Sequence, residues 1–197
     1  AARLASLPWG LDHYIQEEAK LLPIHASPYE DGGTRMQREN LMLRLNNGSR
    51  MIVLGEPGIG KTVALERLAW ELVTGNPLIV PVLVKLLEYD GQSILEWIRL
   101  KLIETGDIKL KPELIADYLD NMAFTCCILL DGLNEVRPAN RDKLISQITQ
   151  FAHAYPQHRI IVTSRVQDES WRYLRQGTAF HETLVVQPIT PQDAKKY

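Results

Sequence analysis

Eight residues set between an apolar run and a helix-forming run constrain this chain more than anything else in it: Gly55-Glu56-Pro57-Gly58-Ile59-Gly60-Lys61-Thr62. Ahead of them, Met51-Ile52-Val53-Leu54 has the length and unbroken apolarity of a short buried strand. After them, Thr62 to Val73 predicts a helix closed by Gly75 and Pro77. Glycines at such a strand-to-helix turn let consecutive backbone N–H groups form a concave nest for anions. The helix start adds exposed N–H groups and the positive end of its dipole. Lys61 has the reach for terminal phosphates, and the Thr62 hydroxyl is placed to ligate Mg2+. A plain Gly/Pro turn needs neither Lys61 nor Thr62. With Gly at ~7% in average proteins, the pattern arises by accident in under ~1% of chains of this length. The nucleotide-contacting stretch is therefore read as Gly55, Glu56, Pro57, Gly58, Ile59, Gly60, Lys61, Thr62 and Val63.

The rest of the chain supplies strands and helices in alternation. Leu78 to Leu86 predicts a strand, and Pro81 within it, which cannot donate to a ladder, predicts a sheet edge. Ser93-Ile94-Leu95-Glu96 is a capping box opening a helix to about Thr105. Pro112 to Asn121 predicts a shorter helix. Thr125 to Leu130 is apolar on both faces, as a strand in the middle of a covered parallel sheet must be. Asn140 to Ala154 predicts a helix, Arg159 to Thr163 a strand, Asp168 to Gln176 a helix and Thr183 to Gln187 a last strand. Upstream, Leu11 to Leu22 and Arg35 to Leu45 carry helical periodicity, with loop signals at Ser27-Pro28 and Asp31-Gly32-Gly33 between them. The class is α/β with a mostly parallel sheet, helices on both faces and a ligand at the carboxyl ends of the strands.

Totals narrow the function. The 197 residues suffice for one ordinary core, and 22 basic against 24 acidic side chains leave a net charge of −2. That balance carries no electrostatic signal for nucleic acid or an anionic membrane. No apolar run approaches the ~20 residues of a membrane span, and no signal peptide opens the chain. Cys126 and Cys127 are neighbours in a predicted strand, so they point to opposite faces and read as core thiols of a reduced, cytoplasmic protein. Thr190-Pro191-Gln192-Asp193 is a helix start close to the last residue, Tyr197, and the first residue is Ala1. These ends are expected of a module within a longer chain: a lead-in over 1–35, a nucleotide-binding core over 36–188, and a following helical segment from 189.

Two further strand ends complete the expected site. Asp131 leaves the strand Cys126 to Leu130, where a carboxylate can hold Mg2+ opposite Thr62. Glu135, four residues on, can orient or deprotonate an attacking water; Asn134 can only position it. Arg165, beyond Thr163-Ser164, can contact a γ-phosphate and register its presence. Glu135, Lys61 and Arg165 are thus the expected catalytic groups.

Gly55 to Thr62, Asp131-Gly132-Leu133-Asn134-Glu135 and Thr163-Ser164-Arg165 together resemble the Walker A, Walker B and sensor 1 motifs of the NACHT family, signal-transduction ATPases of the STAND group. Gly132 directly after the metal Asp points there rather than to AAA+ enzymes, which usually place Glu at that position. The closing Leu184 to Ala194 resembles the last strand and exit of the NACHT core, so the likeness covers about residues 36 to 197. It implies ATP or ADP with Mg2+ as ligands, a five-stranded sheet in the order 5-1-4-3-2, and winged-helix, sensor-repeat and effector domains elsewhere, with nucleotide-dependent homo-oligomers. The chain departs from the family at Asn134, where a second Asp is common. That leaves Glu135 as the only extra acid and implies slow hydrolysis.

The expected function is a switch that binds ATP with Mg2+ and hydrolyses it slowly, controlling assembly or signalling of a larger protein. The alternatives are a nucleotide-binding scaffold with hydrolysis lost, and a P-loop enzyme phosphorylating a second substrate, for which no arginine-rich lid or second acidic motif is found. Base identity stays open, with the stretch Pro23 to Ala26 read as the candidate for base contacts.

Overall fold

The computed structural model describes residues 25–28, 39–40, 44–45, 49–75, 79–105, 119, 125–177 and 179–187. Five apolar runs become parallel strands: β3 (Arg50–Leu54), β4 (Ile79–Lys85), β5 (Thr125–Asp131), β6 (Arg159–Ser164) and β7 (Glu182–Gln187). Two short strands, β1 (His25–Pro28) and β2 (Glu39–Asn40), pair antiparallel outside β7. The sheet order is β2-β1-β7-β3-β6-β5-β4. Counting only the parallel strands, that is the expected 5-1-4-3-2. The Pro81 strand, β4, lies at the edge, because Pro81 has no N–H to offer a second neighbour.

Helices cover both faces. α1 (Lys61–Gly75) lays Ala64, Leu65, Leu68 and Leu72 on Met51, Val53, Leu83, Cys127, Leu129 and Ile161. Opposite it, α2 (Ile94–Thr105), α3 (Pro138–Ala154) and α4 (Trp171–Gln176) bury Ile98, Ile148, Phe151 and Trp171 against Ile52, Val82, Cys126, Ile128 and Ile160. Cys126 and Cys127 face opposite layers, as strand alternation demands, and both are free thiols. The capping box forms by half. The Glu96 N–H donates to Ser93 Oγ at 3.4 Å, while the Glu96 carboxylate pairs with Arg99. The start of α2 is held by a tertiary bond as well, from Ile94 N–H to Gln147 Oε1 of α3 at 2.9 Å. Pro138 takes the first turn of α3, where its missing N–H costs nothing.

The helix expected over Arg35 to Leu45 does not form as one element. Glu39 and Asn40 are strand residues, paired with Ala26 and His25. Among the described residues of that stretch only Arg44 and Leu45 are helical. The outer edge of β1 offers the backbone ladder partners, and pairing there outweighs local helical periodicity. The expected helices over Leu11 to Leu22, over Pro112 to Asn121 (apart from Leu119) and from Thr190 onward lie outside the described residues. Of Pro23 to Ala26, His25 and Ala26 belong to β1. No helix among the described residues is long and apolar enough to cross a membrane.

Candidate functional site

Three neighbouring strands, β3, β6 and β5, end side by side, and the chain leaving each carries part of one site. After β3 the loop Gly55 to Gly60 turns into α1. Gly58 and Gly60 hold φ of 75° and 96°, a left-handed backbone that glycine adopts without strain. Gly55 packs so closely that a Cβ there would stand 2.7 Å from Ile59 Cγ2. Its N–H donates to the Ser164 carbonyl at the end of β6 at 3.2 Å, which ties the loop to the neighbouring strand. The first helical bond of α1 runs from Ala64 N–H to Gly60 O at 2.9 Å, so Gly60 sits at the turn itself and Val63 in the first turn of the helix.

Lys61 folds back across this loop. Its ammonium donates to Gly55 O at 2.8 Å and Glu56 O at 3.0 Å. Burial pulls the ammonium below its ordinary value; Asp131 opposes that, Arg165 lowers it further, and Glu135 and Glu56 oppose. The charges named from the sequence therefore all bear on Lys61. Pro57 and Gly58 are exposed at the tip, as are Glu56, Thr62, Glu135 and Arg165 around it.

At the end of β5, Asp131 is held through both oxygens. Thr62 Oγ1 donates to Oδ2 at 2.7 Å and Thr163 Oγ1 donates to Oδ1 at 2.6 Å. Thr163 Oγ1 in turn accepts the buried Gly132 N–H at 2.8 Å. Gly132 is left-handed, with φ of 84°, and starts a single 3-10 turn, Leu133–Glu135. A Cβ at Gly132 would stand 3.0 Å from Cδ and Oε2 of Glu135, so the glycine also makes room for that side chain. Asn134 Oδ1 accepts the backbone N–H of Arg165 at 3.1 Å.

Thr62 and Asp131 together make a donor set suited to a hard divalent cation. Mg2+ is bound by one or two carboxylates with phosphate oxygens and waters, and only rarely by an all-protein cage. The pair also stands beside a loop whose glycines and helix start favour anions. The residues present fit a nucleotide with Mg2+.

Three groups here carried no role of their own in the sequence, although Thr163 stood in the Thr163-Ser164-Arg165 stretch. Thr163 is the partner that fixes Asp131; a buried hydroxyl closing the apolar run Ile160-Ile161-Val162 was its signal, since such a group needs a partner. Gln167 Nε2 donates to Glu56 Oε1 at 2.6 Å across the loop mouth. Arg141 of α3 pairs with Asp168 at 3.0 Å and donates to the carbonyls of Asn134 and Val136 at 3.2 and 2.9 Å. Nothing local in the sequence marks the last two, whose partners lie on other elements.

Strand order, loop and strand-end carboxylate define a P-loop NTPase fold. Among solved structures the chain is similar to the ORC1 protein of Aeropyrum pernix, determined in complex with DNA, with a TM-score of 0.51 at 17% identity over 79% of this chain and 44% of that one. Cdc6p from Pyrobaculum aerophilum matches at TM-score 0.47 and 16% identity, over 78% of this chain and 44% of that one. PCH-2 of C. elegans matches at TM-score 0.42 and 19% identity, over 70% and 35%. Likeness at this identity carries the fold alone, and the chain spans less than half the length of each of these proteins. No family model and no curated protein matches the chain in sequence.

Proposed function

We propose that this chain is the nucleotide-binding module of a NACHT-type switch, taking ATP with Mg2+ and hydrolysing it slowly to set the lifetime of an assembly- or signalling-competent state. The observation that carries the reading is the 2.7 Å contact between Thr62 Oγ1 and Asp131 Oδ2, made beside a glycine loop that Lys61 spans. In this reading the backbone N–H groups of Gly55 to Val63 hold the phosphates, and Lys61 exchanges its loop carbonyls for phosphate oxygens. Thr62 and Asp131 would hold Mg2+, which when bound would supply charge stabilisation to the phosphate oxygens. Glu135 accepts a proton from the attacking water, and Arg165 contacts the third phosphate. The remaining domains of a longer chain are the partners, with homo-oligomers formed in one nucleotide state and a cytoplasmic setting.

A specific observation favours a second reading, a scaffold that binds nucleotide without turning it over. The Asn134 side-chain oxygen is engaged by Arg165 N–H, and an amide cannot take a proton, so proton removal from the water rests on Glu135 alone. Glu135→Gln separates the two. Switch chemistry predicts that this variant retains Mg2+-dependent ATP binding and loses at least about 100-fold in single-turnover hydrolysis, the scale of a general base. Equal, near-background rates in both proteins favour the scaffold. Nucleotide released from denatured protein is expected to be ADP or ATP, and a protein that neither retains nor binds either overturns both readings.

A further inference from the structure

The segment after β6, Arg165-Val166-Gln167-Asp168, is tied at three points to three other parts of the chain. Arg165 N–H donates to Asn134 Oδ1 in the turn after β5 at 3.1 Å. Gln167 Nε2 donates to Glu56 in the phosphate loop at 2.6 Å, and Asp168 pairs with Arg141 of α3 at 3.0 Å. The first tie is the one nearest the site. β6 ends at Ser164, so the Arg165 N–H is the first beyond the ladder, and a side chain takes the place of a strand partner. An N–H can only donate, so the atom facing it is the amide oxygen of Asn134 and the flip of that amide is fixed. Asn134 is itself anchored, because Arg141 donates to its main-chain carbonyl at 3.2 Å.

We propose that Asn134 is a positioning residue: by holding the backbone at Arg165 it sets where that guanidinium stands, and so how strongly the site prefers a triphosphate to a diphosphate. The inference rests on the reading that Arg165 contacts the third phosphate. It gives the Asn134 side-chain oxygen a task of its own. A long, exposed side chain such as Arg165 delivers its charge to a fixed point only if its own backbone is fixed; its carbonyl accepts the Asp168 N–H at 3.3 Å, and the bond to Asn134 holds its N–H.

The test compares dissociation constants for ADP and for a non-hydrolysable ATP analogue, both with Mg2+, by calorimetry in the wild type, Asn134→Ala, Asn134→Asp, Arg165→Ala and the Asn134→Ala, Arg165→Ala double variant. The expected result is that Asn134→Ala lowers the triphosphate preference by about 3- to 10-fold, the scale of one hydrogen bond, with ADP affinity within about twofold of wild type. Asn134→Asp keeps an acceptor for the same N–H and holds the preference above that of Asn134→Ala. The double variant matches Arg165→Ala alone, because both changes act through one guanidinium. A wild-type preference in Asn134→Ala, or an equal loss for both nucleotides, overturns the proposal while an effect of Arg165→Ala leaves the reading of Arg165 standing. An unchanged preference in Arg165→Ala overturns both. If Asn134→Ala does not fold, Asn134→Ser carries the same comparison, since its shorter side chain withdraws the acceptor.

Discussion

Thr163 joins the site at two atoms. Its hydroxyl donates to Asp131 Oδ1 and accepts the Gly132 N–H, so one buried side chain fixes both the carboxylate and the left-handed turn that follows it. Thr163→Val keeps the shape and removes both bonds, leaving the Gly132 N–H unpaired in a buried place. A loss of about 1–3 kcal/mol in unfolding free energy follows from that orphaned donor. Denaturant titration measures it, and Thr163→Ser recovers most of it; full stability in Thr163→Val contradicts the assignment. Lys61, Thr62 and Asp131 were legible in sequence because each stands at a fixed offset from a glycine or a strand end. Gln167 and Arg141 were not, since their partners, Glu56 and Asp168, are brought to them only by folding.

At the scale of elements, the buried strand β5 makes a prediction of its own. Burial pushes the Cys126 thiol up to about 12, with the neighbouring Cys127 adding to it. Cys127 is likewise raised by burial to about 12, with Arg159 opposing. In the unfolded chain these groups titrate near 9.0. The folded protein thus holds more protons between about 9 and 12. The stability contributed is complete below pH 9 and is lost as pH rises through that window. Denaturant titrations at pH 8 and at pH 10.5 check this. The wild type loses more stability between the two than a Cys126→Ala, Cys127→Ala double variant, and equal losses contradict it. The strands were legible because they are short, apolar and bounded by turn residues. Arg35 to Leu45 misled because its apolar spacing fits a helix, whereas Glu39 and Asn40 are recruited by β1 at the margin of the sheet.

Across the whole molecule, the order β7-β3-β6-β5-β4 sets the carboxyl ends of β3, β6 and β5 next to one another, and everything assigned to the site leaves from those three ends. Parallel pairing from Met51↔Ile161 to Leu54↔Ser164 brings the phosphate loop level with Arg165, and Leu130↔Val162 sets Asp131 beside Thr163. The mostly parallel α/β plan could be read from alternating strands and helices, and the strand order was implied by the resemblance; the added pair β1 and β2 could not be read, being short, with β1 paired to β7 and β2 to β1. The central claim is that Thr62 and Asp131 share a divalent cation with a nucleotide held by the loop. Its most direct measurement is ATP affinity with Mg2+ and with the metal chelated, in the wild type and in Asp131→Asn. Mg2+ is expected to tighten binding to the wild type at least about 10-fold and to give a clearly smaller gain in Asp131→Asn, which keeps the Thr62 hydroxyl but loses the charged ligand. An equal gain from Mg2+ in both proteins would contradict it.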